Sequence, residues 1–172
     1  MRHGVSASRR DDGADAVSRV LVTGMSGTGK SSVLRALAAE GWAAADADGD
    51  RWSRWQPGAD GVLEWMWDAD AMAELLREHE DGTLVVAGCS ANQGRFYDRF
   101  DHVVLLTAPV EVMLERIDAR TDNDFGKSVA ERARVLDDLA HVVPLLRRGA
   151  TLELDTDRPL DDVVAQVRAL LP

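Results

Sequence analysis

The sequence predicts an α/β protein built on a parallel sheet, and three observations carry that prediction. Short apolar runs, rich in β-branched residues, recur at Val20–Thr23, Leu84–Ala87, Val103–Thr107 and Thr151–Leu154. The segments between them are long enough to cross back over a sheet as helices, which is the connection a parallel sheet requires. The glycine-rich stretch Gly24-Met-Ser-Gly-Thr-Gly29-Lys30-Ser31 stands between the first of these runs and a helical pattern. With 172 residues against about 150 per domain, the chain is expected to form one domain.

Taken in order, residues 1–18 hold Arg2, Arg9 and Arg10 against Asp11, Asp12 and Asp15 without an apolar stretch, and read as a disordered leader rather than a signal peptide. The domain is expected over 19–172. Val20–Thr23 is the first strand, ended by Gly24. Val33, Leu34, Leu37 and Ala38 repeat at helical spacing, Gly41 stops that helix, and Trp42–Ala45 follows as a second strand. Helices are expected over Asp70–Glu80 and, after Pro109, over Val110–Arg120. A further helix opens at the capping box Ser128-Val-Ala-Glu131 and runs toward Arg148, with Pro144 kinking or dividing it. The last helix starts near Asp157–Pro159 and carries Val163, Val164, Val167 and Leu170 on one stripe.

Composition narrows the function. The formal net charge is −10, so the surface repels nucleic acid backbones and acidic membranes, and neither is expected as a partner. Lys30 and Lys127 are the only lysines among 20 basic residues, a bias that fits a GC-rich bacterial genome. One cysteine, Cys89, allows no internal disulfide, and no apolar run has transmembrane length, so a cytoplasmic location is expected. The histidines His3, His79, His102 and His141 have no metal-ligand spacing.

The stretch Gly24–Ser31 matches G-x-x-x-x-G-K-[ST] in full, in the strand-to-helix context that gives the motif its mechanism. Glycines at 24, 27 and 29 let backbone N–H groups, including those of Met25, Ser26 and Thr28, curl around phosphate oxygens. The helix N-terminus at Lys30, Ser31 and Ser32 adds its positive dipole end. Lys30 reaches the β and γ phosphates, and the Ser31 hydroxyl is a ligand for Mg²⁺. The motif is not a serine-hydrolase elbow, because Thr28 stands where the second glycine of G-x-S-x-G belongs.

With this loop in place, the chain resembles the small P-loop phosphotransferases of the nucleoside-monophosphate-kinase-like group, in particular shikimate kinase and gluconate kinase. The resemblance implies a three-layer P-loop NTPase sandwich, its five parallel strands in the order 2-3-1-4-5. It also implies a helical acceptor-binding cap at about 49–82 and an arginine-bearing lid at about 116–130. Asp46-Ala-Asp48 looks like the Asp-x-Asp of shikimate kinase, which implies that Asp46 acts on Mg²⁺ and that Asp48 receives the acceptor hydroxyl. An acidic strand-to-helix turn would use the same residues.

Gly88-Cys-Ser-Ala-Asn92-Gln93-Gly-Arg95-Phe-Tyr97 is similar to a segment of gluconate kinase, offset by one residue. As a polar loop at the carboxyl end of a strand, it offers Gly88, Asn92, Gln93 and Arg95 to a polar acceptor. Cys89 reads as a small buried hydrophobe. The segment lacks a Walker B aspartate, so Asp46 bears the metal assignment. Arg116 and Arg120 share a helical face beside the polar loop Thr121–Lys127, and a lid closing there would bring Arg120 to the transition state. Exposed charges at a helix end would look alike.

Asp157, Arg158 and Pro159 occupy the place where relatives wrap the adenine ring, or else simply begin a helix. Trp52, Trp55, Trp65 and Trp67 crowd the cap, where Trp52 could stack on an acceptor; packing of a small core would use the cluster equally well.

The expectation is therefore a kinase that uses ATP and Mg²⁺ to phosphorylate a small-molecule acceptor such as a nucleotide, sugar acid or hydroxy acid, acting as a monomer or weak homodimer. Lys30, Asp48 and Arg120 are its candidate catalytic residues. The alternative is a P-loop nucleotide sensor acting on a protein partner.

Overall fold

β1 (Arg19–Thr23) sits at the centre of the sheet because its residues are apolar on both sides. Val20, Leu21, Val22 and Thr23 are all fully buried, as a parallel strand covered on two faces requires. The computed structural model describes residues 17–172. Its main sheet adds β2 (Ala43–Asp46), β5 (Leu84–Ala87), β6 (His102–Thr107) and β7 (Leu152–Asp155), all parallel, in the order β2-β5-β1-β6-β7. Counted within this sheet alone, that is the expected 2-3-1-4-5 order.

Alternation along β1 divides the core in two. Val20 and Val22 pack with Val33, Leu34 and Leu37 of α1 (Lys30–Ala39) and with Val163, Val164 and Val167 of α6 (Leu160–Arg168). Leu21 faces the opposite side, against Met72, Leu75 and Leu76 of α2 (Ala69–Glu78) and Phe96 of a 3₁₀ helix over Gln93–Arg99. Helices on both faces of one sheet make the three-layer P-loop NTPase sandwich. Chain order reverses at β1, with β5 on one side and β6 on the other, so the carboxyl ends of these strands open a crevice.

The remaining helices follow the expected signals. α3 (Val110–Ala119) begins after Pro109. The capping box is formed in full, with the Ser128 hydroxyl accepting from the Glu131 N–H at the start of α4 (Val129–His141). Pro144 falls in the first turn of a separate α5 (Val143–Gly149), dividing the segment.

Two expectations are corrected. The segment expected as a helical cap is not wholly helical: β3 (Ser53–Pro57) and β4 (Leu63–Trp67) form an antiparallel hairpin ahead of α2. Its sequence carries the reason, since Trp65 and Trp67 alternate with Glu64 and Met66, and tryptophan suits a pleated surface. Pro57-Gly58 opens the turn, closed by a bond from the Gly58 N–H to the Val62 carbonyl at 2.7 Å. The leader also ends earlier than residue 18. Ser18 is buried, donates its hydroxyl to Leu170 at 2.9 Å and accepts from the Leu84 N–H. The rest of the expected leader, 1–16, lies outside the described residues.

Candidate active site

At the carboxyl end of β1 the chain turns through Gly24, Gly27 and Gly29, with φ of 148°, 82° and 95°. Two of these glycines are also pinned by space. A Cβ on Gly24 would lie 2.5 Å from the Leu106 carbonyl oxygen, and one on Gly27 would lie 2.6 Å from that of Met113, so the loop is pressed against β6 and α3. Thr28 closes it from within, its hydroxyl donating to the Met25 carbonyl at 2.7 Å. The Lys30 ammonium donates to the carbonyls of Gly24 (2.6 Å) and Met25 (3.2 Å), bonds that an anion in the loop would exchange for its own oxygens.

The loop floors a cleft of about 710 Å³ lined by Ser26 through Val33, by Asp46 and Asp48, by Ala87 and Gly88, and by Arg116, Arg120 and Arg158. Asp46 ends β2 and Asp48 follows it, so both carboxylates enter the cleft from the strand beside β5. The Asp46 carboxylate is exposed and accepts the Asp48 N–H at 3.1 Å. Asp48 is held more tightly. It accepts the Cys89 N–H at 2.9 and 3.1 Å on its two oxygens, and the Trp67 indole N–H at 3.2 Å.

Burial pushes the Asp48 carboxyl above the ordinary aspartate range, opposed by the positive charge of Lys30 and by the Cys89 and Trp67 bonds. A carboxylate raised in this way, aimed into a cleft and facing an ammonium, is placed to accept a proton. The Cys89 thiol is likewise pushed up by burial and stays protonated, as its reading as a small hydrophobe anticipates.

Gly88 contributes space rather than contact. A Cβ there would lie 2.7 Å from an Asp48 carboxylate oxygen and 3.0 Å from the Trp67 ring. Only glycine lets the aspartate reach the Cys89 amide.

Arg116 of α3 spans the cleft floor. Its guanidinium donates to the Gly27 carbonyl at 3.3 Å and to Thr156 at 2.8 Å (hydroxyl) and 2.6 Å (carbonyl). It thereby ties the phosphate loop to the segment after β7. Buried Thr156 completes the tie through the Thr28 carbonyl at 2.9 Å. Sequence reasoning missed Thr156, although it stands beside the named Asp157. It also missed Arg35 of α1, which lines the cleft and pairs with Asp122 at 3.6 Å; neither residue carries a motif signal.

Arg120 lines the cleft, and its guanidinium donates to the carbonyls of Asn123 and Phe125. Lys127 donates to the Arg120 carbonyl at 2.8 Å and to Asp124 at 3.0 Å. Residues 120–127 are thus folded on themselves through both cationic side chains.

Other expected residues lie elsewhere. Gln93 is buried, accepting from the Ser90 N–H and bonding Thr23 and Tyr97. The Asn92 amide donates to the Trp67 carbonyl and accepts from the Ser90 hydroxyl. Both side chains therefore order the loop after β5; buried Gln93 is engaged at both ends of its amide, while half-buried Asn92 uses one N–H and one oxygen contact. Arg95 is exposed and outside the cleft, as are Asp157 and Pro159; of that trio only Arg158 lines it. Trp52 packs half-buried against the core beneath the Arg51 guanidinium, 4.4 Å from its ring centre. The tryptophan cluster divides between both readings: Trp67 is fully buried, while Trp55 and Trp65 are 64% and 38% exposed.

The residues present fit a triphosphate with Mg²⁺. The glycine cradle is shaped by the close approaches at Gly24 and Gly27, Lys30 stands at its mouth, and Ser31 and Asp46 line the same cleft. Among the described residues no three His, Cys, Asp or Glu side chains gather to hold a metal by themselves. Also among the described residues, no helix is long and apolar enough to cross a membrane.

Comparison with solved structures shows that this fold is shared with small kinases. A shikimate kinase from Acinetobacter baumannii in complex with shikimate superposes with a TM-score of 0.60 at 20% identity, over 90% of this chain and 93% of that one. A gluconokinase from Sinorhizobium meliloti 1021 gives 0.56 at 21% identity, over 89% and 90%. A sugar kinase from Janibacter sp. HTCC2649 gives 0.53 at 19% identity, over 91% and 99%. Among curated proteins none matches the sequence. The model of one family, described as AAA domain, matches residues 20–137, a span from β1 through most of α4 that includes the phosphate loop and both cleft aspartates. On that match the chain belongs to the AAA domain family.

Proposed function

We propose that the protein transfers the γ-phosphoryl group of ATP to a hydroxyl of a small acceptor. The observation that carries this reading is the placement of Asp48: a carboxylate with a raised proton affinity, fixed by the Cys89 amide, shares one cleft with the phosphate loop and feels the charge of Lys30. A site that only sensed a nucleotide would not need a partly buried base in the cleft of its phosphate loop. The kinases that share the fold support the same reading, including one whose structure holds shikimate.

In this reading the loop amides and Lys30 hold the triphosphate, Lys30 leaving the Gly24 and Met25 carbonyls for phosphate oxygens. Mg²⁺, held by Ser31 and through water by Asp46, would neutralise charge on the transferring group. Asp48 accepts the proton of the acceptor hydroxyl as its oxygen attacks phosphorus, and the bond to the ADP oxygen breaks. Arg120, released from the lid carbonyls, stabilises the charge that spreads over the phosphoryl oxygens. Arg158, which lines the same cleft, would border the nucleotide base.

Incubation with ATP, Mg²⁺ and a panel of sugars, nucleosides, nucleotides and hydroxy acids tests the reading through acceptor-dependent ADP release. Lys30→Ala is expected to lower kcat by about 10²-fold or more. Slow hydrolysis indifferent to every acceptor, or unchanged turnover in Lys30→Ala, would overturn it.

A further inference from the structure

The β3–β4 hairpin presents an aromatic face that continues outward from Asp48. Strand alternation and the pairings Ser53 with Trp67, Trp55 with Trp65 and Pro57 with Leu63 put these six residues on one side. The end near the core is anchored to the aspartate twice: the Trp67 indole N–H reaches the Asp48 carboxylate, and the Trp65 indole N–H donates to the Asp48 carbonyl at 2.8 Å. The outer end is open. Trp55 and Trp65 meet edge to face with ring centres 5.5 Å apart, and Trp55, Leu63 and neighbouring Val62 are each at least 60% exposed. Exposed tryptophans in a hairpin anchored to a candidate base are placed to hold the molecule that the base acts on.

Charge says what kind of molecule. Lining the cleft, the cations Lys30, Arg35, Arg116, Arg120 and Arg158 come from the phosphate loop, α1, α3, the lid and the β7 segment. At the Asp48 end, Asp46 is a second carboxylate. Of the arginines flanking the hairpin, Arg54 pairs with Asp68 at 2.9 Å, and Arg51 lies over Trp52. An anionic acceptor would therefore meet two carboxylates, Asp46 and Asp48, at this end of the cleft, offset only by Lys30.

From this we infer that the acceptor is an uncharged hydroxyl compound with a flat face, a sugar ring or a nucleoside, which stacks on Trp55 beside Trp65 while its hydroxyl reaches Asp48. The inference rests on the phosphoryl-transfer reading and narrows it away from acids.

Matched pairs test it: glucose against gluconate, methyl shikimate against shikimate, and adenosine against AMP, each followed by ADP release and by tryptophan fluorescence. A neutral member is expected to support turnover and quench fluorescence, with its acidic partner at least about tenfold poorer in kcat/KM. Which pair responds separates sugar-type rings from nucleosides. Trp55→Ala should raise the KM for that acceptor about tenfold, leave the KM for ATP unchanged, and be largely rescued by Trp55→Phe. The inference is overturned if the acids are preferred, if no neutral member registers in either readout, or if the fluorescence follows protein concentration instead, which marks the face as a contact between copies of the chain. ATP binding by calorimetry, wild type against Lys30→Ala, reports on the phosphate loop separately and tells the two failures apart.

Discussion

Replacing Gly88 with alanine isolates the feature on which the chemistry turns. The new Cβ would stand 2.7 Å from an Asp48 oxygen and 3.0 Å from the ring of Trp67. Trp67 is fully buried among Met72, Leu76 and Phe96, so the carboxylate gives way. An ordinary carbon–oxygen contact requires about half an ångström or more of movement, and the bonds from the Cys89 amide and the Trp67 indole lengthen with it. An error of about 1 Å in a reacting group costs roughly 10²-fold in rate, so Gly88→Ala is expected to lower kcat by about 10- to 10²-fold. Stability should fall by about 1–3 kcal/mol, the usual result of crowding a packed site. The phosphate loop is untouched, and ATP affinity should hold. The assay is acceptor-dependent ADP release beside calorimetric titration of ATP and a thermal melt. A folded Gly88→Ala variant with wild-type kcat would refute the argument that this glycine positions the base.

Two further perturbations separate stability from activity. Because burial raises the Asp48 carboxyl, the folded state binds its proton more readily than the unfolded chain does. Stability is therefore lost as pH rises from the unfolded aspartate value, about 3.9, through the raised folded value. Asp48→Asn should consequently abolish turnover yet raise Tm at pH 7, with the gain vanishing below about pH 4; a lower Tm at pH 7 would contradict this. Arg116→Ala should weaken ATP binding by about tenfold, since it frees the phosphate loop from Thr156, and should cost about 1.5–3 kcal/mol of stability. Arg116→Lys should restore little of either, because one ammonium cannot replace a fork that grips the Gly27 and Thr156 oxygens together; calorimetry and melts read both.

The local signals in the chain were strong wherever a residue's role depends on its immediate neighbours. Apolar runs marked all five strands of the main sheet. The glycine spacing marked the phosphate loop, and Ser128 with Glu131 marked the start of α4, because backbone conformation and capping act over a few residues. The hairpin was open to the same reasoning through the alternation of Trp65 and Trp67, but the expectation of a helical cap masked it.

What composition and spacing could not reveal is which polar groups had already been used. Asn92 and Gln93 look like acceptor ligands in the chain; folding spends Gln93 on Thr23, 70 positions away, and Asn92 on Trp67. Conversely, Asp48 becomes a candidate base only when β2 pairs with β5 and brings it to the Cys89 amide, 41 positions on, in a place dry enough to raise its proton affinity. The sequence by itself determined the architecture and the phosphate cradle, since both follow from short-range sterics and the burial of apolar faces. Tertiary structure alone decided which side chains face the cleft with groups to spare, because hydrogen-bond satisfaction and desolvation are set by neighbours distant in the chain.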